Sequence, residues 1–200
     1  MKTGRNNSNR GYSLVELIVV IAIMAILVGV FSISVGSLSG RKVNKCADEI
    51  VATLERTRVL TLGKEQNQVE FRLYYDATQK EYKAQIYQGG TLVSDRTVGN
   101  DAITIKVTFE GDATEYDLKA GTIQGSAPYV NIGSKTDAEK IGLFLVFNRS
   151  SGAFEQNTNS VGGTDKTYCK KVTVSGGNRE IEITPVGRTG KILKQSKEGG

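Results

Sequence analysis

Residues 17–40 read LIVVIAIMAILVGVFSISVGSLSG, a run of 24 residues without a charged side chain. As an α-helix this run would be about 36 Å long, which exceeds the ~30 Å hydrocarbon core of a bilayer. Ile and Val are modest helix formers in water, but a backbone in lipid must satisfy its own hydrogen bonds and therefore becomes helical. The run predicts a membrane-spanning helix.

The charges before the run predict its orientation. Lys2, Arg5 and Arg10 precede it, and none of the first 11 residues is acidic. The positive-inside rule therefore predicts a cytoplasmic N-terminus and places the residues beyond 41 on the other side. No A-x-A-like signal-peptidase site follows the run. We expect a single-pass protein of the cytoplasmic membrane.

Composition limits the chemistry open to the chain. Its 200 residues include no histidine and only two cysteines. Ser-His-Asp and Cys-His nucleophile systems and histidine-ligated metal sites are therefore excluded. The 38% hydrophobic and 24% charged content is typical of globular domains. We expect no catalytic residue, no cofactor and no metal ion.

One acidic residue borders the apolar run. Glu16 follows Leu14 and Val15 and directly precedes the run. A carboxylate in a membrane helix costs roughly 2.5–3.5 kcal/mol at the bilayer centre, so it normally has a partner. The alternative is an interfacial glutamate in an ordinary signal anchor, where the cost is lower.

Residues 11–23, GYSLVELIVVIAI, resemble the cleavage and methylation signature of type IV prepilins and type II secretion pseudopilins. In that family a basic leader ends in glycine, a prepilin peptidase cuts after it, and the new N-terminus is methylated. The resemblance implies cleavage between Gly11 and Tyr12, which makes Glu16 the fifth residue of the mature chain. Tyr12 stands where the family more often has phenylalanine.

The resemblance also implies that Glu16 acts in assembly. It follows the Tyr12 amine by four residues, on nearly the same helical face. In a pilin-like filament it would pair with the terminal amine of a neighbouring subunit, because an unpaired buried charge costs several kcal/mol. The implied partners are other pilin subunits, the prepilin peptidase, the inner-membrane assembly platform and, before assembly, membrane lipid.

Beyond the run, the sequence predicts a continuing helix and then strands. The apolar helical stripe comprises Val43, Cys46, Ala47, Ile50, Val51 and Leu54. From Gln68 the apolar period changes to two. The predicted strands are 68–76, 81–87, Leu92–Val98, 102–110, Leu143–Phe147, Lys171–Ser175 and Glu180–Thr184. LFLVF at 143–147 is apolar on both faces and predicts a central strand, whereas 148–168 predicts an exposed loop.

The predicted fold is α+β and pilin-like, with a long N-terminal α-helix packed on an antiparallel β-sheet. The helix has a transmembrane half and an amphipathic half. We divide the chain into a leader peptide (1–11), a transmembrane or filament-core helix (12–40), an amphipathic helix (41–63) and an antiparallel β globular domain with a basic C-terminal tail (64–200).

Three shorter stretches resemble the H-type, fimbrial-T-like minor pilins. They are LERTRVLTLGKEQNQVEF at 54–71, LVFNRSSGAF at 145–154 and EIEITPVGRTGKI at 180–192. The resemblance would imply a minor subunit, near a filament tip or in an initiation complex, rather than the bulk subunit of a fibre.

The C-terminal tail is basic, since residues 166–200 hold eight basic and three acidic side chains. Fimbrial-T-like minor pilins are associated with DNA capture, and their GR element resembles Gly187-Arg188. A basic tail can follow a phosphate backbone, so the sequence offers nucleic-acid contacts at Arg188 and Lys191 as an alternative. A solvated strand face or a disordered tail is the preferred interpretation, because Tyr168 is the one aromatic residue in the tail.

The two cysteines, Cys46 and Cys169, follow the run and lie where oxidation can occur in the predicted topology. Two interpretations stay open for them. A disulfide would close a loop of more than 120 residues and add about 4–5 kcal/mol by the chain-entropy argument. The alternative is two unpaired thiols.

For GDATEYD at 111–117, surface charge around a turn is preferred to a calcium site.

These features favour a structural and interaction protein over an enzyme. The main hypothesis is a type IV pilin-like subunit, a pseudopilin or a minor pilin, cut after Gly11 and packed into a helical filament of a type IV pilus or type II secretion system. It would move from the cytoplasmic membrane to an extracytoplasmic or cell-surface filament. A DNA-binding minor pilin for DNA uptake, and a membrane-anchored binding domain with no filament role, are the alternatives.

Overall fold

The computed structural model describes residues 13–63, 68–111, 113–119, 130–131, 141–158 and 166–198. The predicted leader (1–11) and Tyr12 lie outside these residues. The chain divides into two compact units, Met1–Leu38 and Ser39–Gly200. Helix α1 (Leu14–Gly63) contributes residues to both units, close to the predicted helix.

In the first unit the large apolar side chains of α1 are exposed wherever they are described. Leu14 is 76% exposed, and those from Val15 to Val28 are between 47% and 67% exposed. The transmembrane character predicted for residues 12–40 is not shown by the structure. No helix in the described part of the chain combines the length and the apolarity that a membrane crossing needs.

In the second unit α1 buries the stripe that the sequence predicts. Five of its apolar side chains are fully buried, namely Val43, Cys46, Ala47, Ile50 and Leu54. Val51, the sixth, is half-buried. The stripe continues with three buried threonines, Thr53, Thr57 and Thr61. Each threonine hydroxyl donates to the carbonyl oxygen four residues earlier, at 2.6–2.9 Å, so no buried hydroxyl of the stripe lacks a partner.

Two five-stranded antiparallel sheets pack with this part of α1, instead of the single sheet that we predicted. The first has the order β3-β2-β1-β7-β6, the second has the order β12-β11-β10-β4-β5, and β8 and β9 form a separate pair. The strands are β1 (Val69–Asp76), β2 (Glu81–Gln88), β3 (Thr91–Asn100), β4 (Thr104–Phe109), β5 (Tyr116–Asp117), β6 (Val130–Asn131), β7 (Ile141–Val146), β8 (Asn157–Thr158), β9 (Lys166–Thr167), β10 (Cys169–Gly176), β11 (Arg179–Val186) and β12 (Lys191–Glu198).

One hydrophobic core joins α1 to the inward faces of both sheets. In the first sheet Phe71 and Leu73 of β1 are buried, and in the second Val172 and Val174 of β10 are buried. Alternate residues face one side of a strand, so the period of two places these side chains on one face. The core therefore consists of the helix stripe and two half-buried sheets.

Two neighbouring acids of α1 attach the helix to the edge strands of the two sheets. Asp48 pairs with Lys194 of β12 at 2.5 Å, and Glu49 pairs with Arg96 of β3 at 3.0 Å. Strands β3 and β12 are edge strands of their sheets. Helix α1 thus bridges the two edges, although each partly exposed pair contributes only about 0–1 kcal/mol.

All seven predicted strands are confirmed, as β1, β2, β3, β4, β7, β10 and β11. Strand β7 lies between β1 and β6, as a central strand should. The basic tail at 166–200 contains β9 to β12, and its last strand, β12, pairs with β11 from Lys191 to Glu198. Most described side chains of β12 are exposed, so the solvated strand is confirmed for β12 and the disordered tail is wrong at 191–198.

The prediction of an exposed loop at 148–168 holds at residues 149–151 and is wrong at Gly152 and Phe154, which are buried. Phe154 is 4% exposed, and its ring lies 4.3 Å from the Phe147 ring between centroids. The two residues form an antiparallel bridge. The sequence did not indicate this contact, because Phe154 is a single aromatic residue in an otherwise polar segment and leaves no hydrophobic pattern.

Candidate functional site

Ser13 caps the N-terminus of α1. Its hydroxyl accepts a hydrogen bond from the Val15 amide at 3.2 Å, and its carbonyl accepts one from the Leu17 amide at 3.2 Å. Serine is a preferred N-cap because its oxygen satisfies an amide that has no partner within the helix. Our sequence prediction missed this residue, although Ser13 and Glu16 have the spacing of a capping box.

Glu16 lies in the first turn of the helix and is exposed. A carboxylate at this end interacts favourably with the helix dipole. No ion pair joins Glu16 to another side chain within the part of the chain that the structure describes. Its charge is therefore available to an external cationic group.

The described apolar side chains around Glu16 are uncovered. Twelve large apolar residues between Leu14 and Val28 are exposed. An exposed apolar surface of this kind is typical of a protein–protein or membrane interaction site. A carboxylate buried at such a site would need a cationic partner.

Comparison with known proteins assigns this segment. Residues 6–32 match the family model of the prokaryotic N-terminal methylation motif. The chain carries the type IV pilin and pseudopilin signal. The pilin signal spans Gly11, Tyr12 and Glu16, the predicted processing and assembly residues. No curated protein and no solved structure matches the chain.

Beyond the pilin signal, a second cluster forms around Arg58 of α1. Arg58 donates from Nε to the Gly152 carbonyl at 3.1 Å and from Nη2 to the Thr189 carbonyl at 3.1 Å. Gly190 has φ +67°, and a Cβ there would lie 1.7 Å from the Gly152 carbonyl oxygen. The turn at 187–190 is therefore held against both α1 and the segment before Phe154.

This cluster joins the three stretches that resemble H-type minor pilins. Arg58 belongs to 54–71, Gly152 to 145–154 and Thr189 to 180–192. Our sequence prediction did not single out Arg58. The residues it bonds lie 94 and 131 positions away, so no local pattern marks it.

Arg188 and Lys191 are exposed at this turn, where DNA contacts are predicted. Neither has an ion-pair partner among the described residues. Tyr168 packs against the turn, since a Cβ on Gly187 would lie 2.8 Å from its Cδ1. Arg188 and Glu155 line the same open cavity of about 490 Å³, so the local charge is mixed. The DNA contacts stay a prediction.

Cys46 and Cys169 are buried free thiols. The structure contains no bond between them, and a disulfide at these positions stays a prediction. Burial raises the pKa of Cys46 to about 12, and it also raises the pKa of Cys169, with the Glu110 charge adding to the effect. Thiols that stay protonated and buried are poor nucleophiles and poor metal ligands.

The described carboxylates of the calcium candidate at 111–117 have partners within the chain. Glu115 pairs with Lys106 at 3.1 Å, and Asp117 accepts a hydrogen bond from the Lys119 amide at 2.8 Å. These contacts agree with the preferred interpretation of surface charge around a turn.

Proposed function

We propose that the protein is a type IV pilin-like structural subunit, a pseudopilin or a minor pilin. The prepilin peptidase cuts it between Gly11 and Tyr12, and the mature chain packs helix to helix into a filament. The match of residues 6–32 to the methylation motif carries this proposal. Proteins with this motif are structural rather than enzymatic.

The exposed apolar segment of α1 would be surrounded first by membrane lipid and later by the helices of other subunits. The run at 17–40 holds 24 uncharged residues, enough for a membrane anchor in the precursor. After processing, neighbouring helices take the place of lipid, and Glu16 pairs with the Tyr12 amine of another subunit. Repeated contacts of this kind do not close, so they generate a fibre outside the cytoplasm. The other proposed partner is the assembly platform in the inner membrane.

The Arg58 cluster supports a minor subunit of the H-type. Three stretches far apart in the sequence resemble that group, and Arg58 holds two of them to the third through hydrogen bonds of 3.1 Å. The three stretches therefore meet at one place in the second unit. Such a subunit belongs near a filament tip or in an initiation complex.

Replacing Gly11 with valine is expected to block processing, because a branched side chain would adjoin the bond that is cut. In cells with an active prepilin peptidase, the wild-type chain should lose its first 11 residues, as gel mobility and N-terminal sequencing will show. The Gly4→Val variant is the matched control and should be processed normally. Cleavage of Gly11→Val at the same bond, or shortening of wild type without the peptidase, would refute the proposal.

A further inference from the structure

Four exposed cations cluster where α1 leaves the uncharged run. Three are on the helix and one is on β11, and we call them the basic collar: Arg41, Lys42, Lys45 and Arg179. The Arg179 Cδ lies 3.3 Å from the place that a Cβ on Gly40 would occupy. The arginine stem therefore lies against the helix backbone, which brings the fourth cation to the level of the other three.

Two glycines, Gly176 and Gly177, let the turn before Arg179 pack closely against α1. A Cβ on Gly177 would lie 2.9 Å from the Ser39 Cβ, and one on Gly176 would lie 3.0 Å from the Val43 Cγ2. Larger residues would hold the β10–β11 turn away from α1. The close packing of this turn on α1 therefore fixes the position of Arg179 in the collar.

No ion pair joins a collar cation to an acid whose side chain the structure describes. Glu198 lies opposite Arg179 in the β11–β12 register. Asp48 and Glu49, on the next turn of α1, line one cavity with Arg41 and Lys45. Both acids are already paired with other cations, as Asp48–Lys194 and Glu49–Arg96. Arg41 and Lys45 are also four residues apart, so their like charges repel on one helix face. An anion bound between them would relieve this repulsion.

The positive-inside rule does not account for the collar. Three cations precede the run, and the collar supplies three on α1 directly after it. A cytoplasmic N-terminus places the collar on the opposite side of the membrane, where the rule predicts few cations. These charges therefore need another explanation.

We propose that the basic collar binds the phosphate groups of anionic phospholipids while the precursor is in the membrane. The inference rests on the membrane stage of the proposed function. The collar begins directly after Gly40, where a helix filled by the run would leave the hydrocarbon and reach the headgroups. Lysine and arginine stems extend along apolar surface and place their charges at that level. Bound phosphates would fix the depth of the subunit before its extraction into a filament.

The test uses the full chain in vesicles of equal parts phosphatidylglycerol and phosphatidylcholine. Native mass spectrometry of the released protein counts each retained lipid. Wild type should retain phosphatidylglycerol at least about tenfold over phosphatidylcholine, with the preference weakened by salt. The triple variant Arg41→Gln, Lys45→Gln, Arg179→Gln should lose most of this preference.

A matched control removes two arginines and one lysine elsewhere. Arg56→Gln, Arg149→Gln and Lys170→Gln alter exposed residues outside the collar and should leave the preference unchanged. Insertion into the vesicles without a preference for phosphatidylglycerol would overturn the inference alone, as would an equal loss in the control. Failure of the wild-type chain to insert would overturn the membrane stage of the proposed function and the inference with it.

Discussion

Replacing Glu16 with glutamine is expected to lower the amount of assembled filament by roughly a hundredfold. The glutamine is nearly the same size but cannot neutralise the Tyr12 amine of a neighbouring subunit. An unpaired charge in an apolar filament core costs several kcal/mol, and about 2.7 kcal/mol already corresponds to a hundredfold change. The measurement is the fraction of subunit recovered in sheared filaments from cells that contain the complete assembly machine.

Glu55→Gln is the matched control for this experiment. Glu55 is also an exposed glutamate of α1, and it lies in the second unit. Its replacement should leave filament yield unchanged. Both variants should still lose residues 1–11, because Glu16 is proposed to act in assembly and not in cleavage. Wild-type filament yield from Glu16→Gln would remove the assembly role from this residue.

Replacing Gly190 with alanine is expected to destabilise the globular unit by about 3 kcal/mol, the upper end of the usual cost of overpacking. The new Cβ would lie 1.7 Å from the Gly152 carbonyl oxygen, so the turn at 187–190 would have to move. The move would also stretch the hydrogen bonds from Arg58 to Gly152 and Thr189. Strain at φ +67° adds a further cost of order 1 kcal/mol. Denaturant unfolding of the full chain in detergent, followed by the β-sheet signal, measures the loss.

Gly90→Ala separates the two contributions. Gly90 also has a positive φ, +80°, but no atom lies within 4 Å of the place that its Cβ would take. Alanine there should cost only about 1 kcal/mol, from backbone strain. An equal loss of unfolding free energy at the two positions would mean that the close contact between Gly190 and Gly152 adds nothing to stability.

The periodic elements were predictable because one face of each is buried. The stripe from Val43 to Leu54 and the alternation in β1 appear in the sequence as they appear in the core. The number of sheets was not predictable, since alternation shows that a strand has a buried face but not which strand pairs with it. Strand β12 was open to two interpretations because most of its described side chains are exposed and half of its eight residues are charged.

The two parts of the candidate site differ in the same way. The pilin signal is a local pattern around Gly11 and Glu16, so it could be recognised from the sequence alone. The Arg58 cluster depends on contacts across 94 and 131 positions and appears only after folding. The state of Cys46 and Cys169 likewise depends on packing that cysteine spacing does not reveal.

The most direct test of prepilin processing is the intact mass and N-terminal residue of the protein from its native membrane or from shed filaments. We expect an N-methylated Tyr12 with residues 1–11 absent. The same sample would show whether any full-length precursor accumulates. A terminus at Met1 or Lys2 in cells with an active prepilin peptidase would contradict the filament role and leave a membrane-anchored domain.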